Sequence, residues 1–267
     1  MKRRLFIFLF AFLIVLLSLG TTWFEEDATD PVSGEQISVR NIGSYGSYIY
    51  QWDSKYDLIY WPFTNKNWIW FNPKSGYGSF AHNFSTLKPK EIITIRKWLQ
   101  NNYDPAKPPA THTELLEWIG KIYEIREMSD DHWNYYYRLM AYMYREDPVK
   151  SIEYVNKALP LIEKKYETKL SEKGLLEVLY LLGEYNRRLG NIEQAKIFFE
   201  KVKTQTYKEE DGTETTGHPY FLELIENREQ LMQKTIQTNT PEDENQTQTN
   251  DEPDKPEKEK RNKKGSK

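Results

Sequence analysis

The sequence predicts an α+β protein, a small antiparallel β ribbon followed by a mainly α-helical stack. Aromatic residues crowd residues 25 to 84, with two-residue alternation in Tyr48-Ile49-Tyr50-Gln51-Trp52 and Trp68-Ile69-Trp70-Phe71 and with Gly43, Gly46, Pro62 and Gly76 as turn residues. From Pro89 onward, apolar residues recur at helical spacing instead, and after Ile236 no large apolar residue remains.

The segment before the ribbon reads as an export signal. Lys2, Arg3 and Arg4 precede the apolar run Leu5 to Leu19, and Ser18-Leu19-Gly20 supplies the small residues a signal peptidase needs, so residues 1–20 are expected to be removed after Gly20. The alternative is a short uncleaved anchor with Trp23 and Phe24 at the membrane interface, but about fifteen apolar residues fall short of the roughly twenty that span a bilayer. Either way the chain after Thr21 is expected outside the cytoplasm, in the periplasm or at the cell surface, touching membrane only through its N-terminal segment. Cysteine is absent from the 267 residues, which excludes disulfides, thiolate chemistry and lipid attachment at cysteine. A net charge of −3 gives no global basic field, so nucleic acid is not an expected partner.

Helix boundaries are marked by local chemistry. Ile92, Ile95 and Leu99 form one face of a helix that starts near Pro89 and ends in the proline-rich linker Asn101–Ala110. Thr111-His112-Thr113-Glu114 is a capping box opening a helix with Leu115, Ile119 and Ile122 on one side. Trp133, Tyr137, Met140 and Tyr144 fall on one face of the next. Asp147-Pro148 caps another, in which Pro160 is expected to cause a kink or a break. A loop over Lys208–Pro219 leads to a last helix, Tyr220 to about Lys234, whose Glu223, Glu226, Arg228 and Glu229 are expected to form a polar outer face. Residues 237–267 are too polar to offset their own ordering entropy and are expected to be a disordered charged tail, acidic and then basic.

The stretch Leu175–Lys203 is two amphipathic helices joined by Gly190-Asn191, and it resembles one tetratricopeptide repeat. Leu182 and Gly183 in the first helix, Gly190 at the turn, and Ala195 and Phe199 in the second stand at the pattern's offsets. Tyr185 is one place early for the pattern's aromatic, and no proline closes the unit near Tyr207. The Trp133–Lys165 pair resembles a second, degenerate repeat. The helical domain, residues 88–236, is therefore expected to be a tetratricopeptide-like stack, since one repeat cannot bury its own apolar face.

Two ribbon turns repeat one shape. Asp30-Pro31-Val32-Ser33-Gly34 and Asn72-Pro73-Lys74-Ser75-Gly76 would each be a Cys-Pro-x-Cys-Gly zinc knuckle if Asp30, Ser33, Asn72 and Ser75 were cysteines. With the Leu182–Asn191 run, these turns resemble an uncharacterised bacterial family of unknown function that joins a Cys-Pro-x-Cys-Gly ribbon to tetratricopeptide-like helices, over about residues 28 to 233. The resemblance places the family's metal positions on those four residues. Serine and asparagine are poor zinc ligands and one aspartate cannot replace four thiolates, so no metal and no other cofactor is expected. Cysteine loss suits an exported chain, where free thiols oxidise. The ribbon, residues 25–84, is then expected to be held by aromatic packing.

No catalytic pattern is present. His82, His112, His132 and His218 are scattered, and His132 beside Asp130 and Asp131 reads as a helix N-terminus with capping acids. Phosphate-binding glycine loops, Gly-x-Ser-x-Gly and His-Glu-x-x-His are missing. The chain is expected to be a non-catalytic interaction or scaffold protein that holds a peptide or protein on its helical surface, with Tyr136, Arg138, Glu184, Asn186 and Arg187 as groove residues. The alternative is a wall- or glycan-binding module that stacks sugars on Trp52, Trp61, Trp68 and Trp70, which otherwise serve as ribbon core.

Overall fold

The computed structural model describes residues 22–44, 67–209 and 211–239. The segment 1–20, the run Tyr48–Trp52, Trp61 and the tail beyond Asn239 lie outside the described residues.

Among the described residues two hairpins make the ribbon. β1 (Thr22–Thr29) pairs antiparallel with β2 (Gln36–Ser44), with Thr29 opposite Gln36. β3 (Ile69–Phe71) pairs antiparallel with β4 (Gly78–Phe80), with Phe71 opposite Gly78. The first hairpin starts at Thr22, and its strands carry no aromatic alternation to announce them; β1 is mostly exposed, and β2 buries only Val39 and Ile42. Each repeated turn is a hairpin tip.

Seven helices follow among the described residues: α1 (Pro89–Asn102), α2 (His112–Tyr123), α3 (Asp130–Met143), α4 (Pro148–Tyr166), α5 (Glu172–Arg188), α6 (Ile192–Thr204) and α7 (Pro219–Asn239). The capping box forms as its residues dictate, Glu114 N–H donating to Thr111 Oγ1 and Thr111 N–H to the Glu114 carboxylate. Asp147 caps α4 through Lys150 N–H. Pro160 does not divide α4, which runs unbroken past it. Pro160 stands on the exposed side of the helix. The loop before α7 contains a further hairpin, β5 (Thr206–Lys208) and β6 (Glu214–Thr216), and α7 extends to Asn239, into the segment expected to be tail.

Among the described residues three apolar cores succeed one another along the chain, each sharing a helix with the next. Val32, Tyr77, Phe84, Ile95, Leu99 and Ile122 join the ribbon to α1 and α2. Phe80, Leu116, Ile119, Tyr123, Leu139 and Met140 join β4, α2 and α3. The largest joins α3, through Ala141, to α4–α7 around Leu179, Leu182, Ala195, Phe199 and Phe221. Gly190 takes φ +81, the left-handed conformation that ends α5, and Gly183 lies directly against the Phe199 ring.

Candidate functional site

The two hairpin tips have the same backbone. In the first, Gly34 N–H donates to Asp30 O and Asp30 N–H to Glu35 O; in the second, Gly76 N–H donates to Asn72 O and Asn72 N–H to Tyr77 O. Both glycines have φ +79. Asp30, Ser33, Asn72 and Ser75 converge where the tips meet. Asp30 Oδ2 accepts from Ser33 Oγ at 2.8 Å, Asn72 Nδ2 at 2.8 Å and Ser75 Oγ at 2.6 Å, while Oδ1 accepts from the backbone N–H of Val32 at 2.8 Å and of Ser33 at 3.3 Å. Asp30 and Asn72 are buried.

The first two helices clamp these tips. Arg96 Nε donates to Val32 O at 2.8 Å, Tyr103 Oη to Pro73 O at 2.5 Å and Trp118 Nε1 to Gly76 O at 2.7 Å. Across the tips Lys74 pairs with Glu35, and that contact is the main reason the Glu35 carboxyl is held below its ordinary pKa.

Four of the five expected groove residues do not face solvent. Tyr136 is buried and donates to Leu116 O at 2.9 Å. Arg138 is buried 3.7 Å from Glu177, linking α3 to α5. Glu184 is buried against Arg187 and, at 3.1 Å, Arg228 of α7. Asn186 is buried, donating to Leu182 O and accepting from Asn191 Nδ2. Arg187 is partly covered in its pair with Glu184. The covers differ: α2 closes over Tyr136, α5 over Arg138 and the α5–α6 turn over Asn186, while Glu184 is closed in by α7, which packs on both α5 and α6. Arg228 accordingly points inward and not to the outer face.

A hollow of about 380 Å³ stays open elsewhere, between α2, α3 and α4. Trp133, Tyr137 and Tyr154 line its wall, and Tyr144 continues their ladder of half-buried rings beyond it. Trp133 and Tyr137 stack at 5.3 Å and 24°, Tyr137 meets Tyr154 at 6.4 Å, and Tyr154 stacks on Tyr144 at 5.8 Å and 2°. Lys157 Nζ lies 4.9 Å from the Tyr154 ring centre and Lys150 Nζ 4.3 Å from that of Tyr144. The floor is deep because residue 120 is glycine: a Cβ there would stand 2.1 Å from Tyr136 Oη. Glu117 is taken by Tyr144 and Lys150. Burial, then the charge of Glu117, pushes the Tyr154 phenol up to about 12, so the ring stays neutral. Trp133, Tyr137 and Tyr144 carried this signal in sequence as an i, i+4, i+11 stripe; Tyr154, from another helix, could not be joined to it.

The ribbon tryptophans within the described residues form no flat platform. Trp68 meets Trp23 at 4.5 Å and 55° and donates its indole N–H to Arg40 O, while Trp70 sits edge-on to Phe84. His132 follows the cap Ser129, which accepts its backbone N–H, and packs edge-on to Tyr123 at 4.3 Å. Burial, then nearby Arg126 and His82, lowers its pKa to about 4. Asp130 and Asp131 pair instead with Lys164 and Lys165 of α4.

Residues 23–216 match a family described as an uncharacterized protein conserved in bacteria, DUF2225. No curated protein and no solved structure matches the chain.

Proposed function

The chain belongs to the bacterial family DUF2225, and on that premise we propose that it is an exported, non-catalytic interaction protein that binds an extended, proline-containing peptide segment in the hollow between α2, α3 and α4. One observation carries the reading: the rings of Trp133, Tyr137 and Tyr154 are left half-covered along this cleft, and Tyr144 continues their ladder. Aromatic-lined grooves hold polyproline-type segments because flat rings match the pyrrolidine and the ligand surrenders little entropy. Glu117 is engaged by Tyr144 and Lys150, so the cleft offers ring faces for a proline ring, with Glu124, Lys121 and Lys157 beside them for the polar backbone of an extended peptide. In this reading α3–α4 and α5–α6 are tetratricopeptide-like hairpins, and the two ribbon tips are zinc-type knuckles whose cysteine positions are occupied by Asp30, Ser33, Asn72 and Ser75. Their shared backbone and their convergence support the second point.

Panning a displayed peptide library against the purified chain tests the ligand. Proline-containing sequences are expected to be enriched, to change Trp133 fluorescence and to lose at least tenfold in affinity against a folded Tyr137→Ala, Tyr154→Ala double variant. Peptides that bind the double variant as tightly, or enrichment of oligosaccharides in place of peptides on a glycan array, would place the ligand elsewhere.

A further inference from the structure

We propose that the buried Asp30 carboxylate performs in this chain the structural task of a knuckle metal, locking the two hairpin tips together without a cation. The inference rests on the reading of the tips as a knuckle pair.

A zinc knuckle pair is a cation surrounded by lone pairs. The residues here are arranged with the opposite polarity. Asp30, fully buried, is an acceptor at the centre, and three side chains point hydrogens at its Oδ2, one from its own tip and two from the other, 42 and 45 residues away. The serine hydroxyls are further committed, since Ser33 Oγ accepts Glu35 N–H at 3.2 Å and Ser75 Oγ accepts Tyr77 N–H at 3.0 Å. Asn72 Oδ1 accepts Lys74 N–H at 2.9 Å. Each tip therefore runs a relay from backbone N–H through a hydroxyl to the carboxylate, and chains of this sort strengthen each member.

Such a donor set does not fit a metal. A cation placed between the tips would meet the hydrogens of Ser33, Ser75 and the Asn72 amide, and turning these away would strip a buried carboxylate of its partners. Among the described residues Asp30 has no Lys, Arg or His ion pair, so the five hydrogen bonds are what make its burial tolerable. The same residues that rule out a thiolate site thus explain how the tip geometry survives without one.

The test uses the full chain in thermal unfolding. Wild type is expected to carry no stoichiometric zinc by elemental analysis and to keep its midpoint within about 1 °C when a strong chelator is added. Asp30→Asn presents an amide where three donors converge and is expected to lower the midpoint by on the order of 10 °C, with no recovery on adding zinc. Ser75→Ala, a milder loss of one donor, is expected to lower it by a few degrees. A chelator-sensitive wild type, or an unchanged midpoint in both Asp30→Asn and Ser75→Ala, would overturn the proposal. A chain carrying Asp30→Cys, Ser33→Cys, Asn72→Cys and Ser75→Cys separates the proposal from the reading beneath it. That chain is expected to take up one cobalt ion with tetrathiolate charge-transfer absorption. Failure to bind cobalt alongside a destabilised Asp30→Asn would refute the knuckle reading while the carboxylate hub stands.

Discussion

Gly183→Ala probes the closest contact in the α5–α6 hairpin. A Cβ at residue 183 would lie 2.4 Å from both Cδ1 and Cε1 of Phe199, where carbon atoms need about 3.5 Å, so the ring would have to retreat by about 1 Å. Phe199 is fully buried beside Tyr180, so its retreat must displace packed neighbours. Overpacking of this kind costs about 1–3 kcal/mol, while alanine for glycine inside a helix returns about 1 kcal/mol. The single substitution is therefore a poor measure, and a double-mutant cycle with Phe199→Leu is the informative one. In the Phe199→Leu background the clash is relieved, and Gly183→Ala is expected to stabilise by about 1 kcal/mol. The coupling energy is expected to be about 1–3 kcal/mol from urea unfolding of the four chains, followed by far-ultraviolet circular dichroism. A cycle that closes within about 0.5 kcal/mol would refute the contact as the reason residue 183 is glycine.

The twin tip glycines separate backbone strain from crowding. Gly34→Ala is expected to cost about 1 kcal/mol, because φ is +79 but nothing lies within 4 Å of the new Cβ. Gly76→Ala, with the same φ and a Cβ 2.3 Å from the Tyr103 ring, is expected to cost at least about 2 kcal/mol more, and equal losses in urea unfolding would contradict that geometry. His132 is neutral in the fold, its pKa lowered to about 4 by burial, Arg126 and His82. Protons therefore bind the unfolded chain first: the stability this ring contributes is complete above pH 6.5 and is lost as pH falls toward 4, by about 2 kcal/mol after discounting for the exposed part of the ring. His112 and His218 shift in the same direction, so the readout is the difference in acid sensitivity between wild type and His132→Phe, and parallel pH profiles would sink the assignment. Glu184→Gln leaves Arg187 and Arg228 against a neutral group and is expected to cost about 3 kcal/mol, whereas a loss below about 0.5 kcal/mol would show the pair to be incidental.

Local features were legible in the residues themselves. The capping box at Thr111, the Asp147-Pro148 start of α4, the left-handed Gly190 and the repeated tip sequence each depend on residues within a few positions of one another, and each formed as read. Where distant residues decide the outcome, sequence pattern and structure part company. Glu184, Asn186 and Arg138 sit at polar positions of their helices, yet each is buried by a partner from elsewhere in the chain or by its own helix turn. Strands β1 and β2 leave no mark in the sequence because their register comes from pairing with each other and not from a buried alternating face.

Sequence alone determined that a ribbon with two like tips precedes helices broken at known caps, and that the chain lacks the thiols a knuckle requires. Only the tertiary structure decided which helix face remains open, because that depends on where α7 lies across α5 and α6. It also decided that Asp30 reaches Asn72 and Ser75 across more than forty residues of chain. Caps and turns are set by hydrogen bonds between near neighbours, so a few residues specify them. A closed face or a shared carboxylate is set by surfaces distant in sequence, whose meeting is a property of the packed whole.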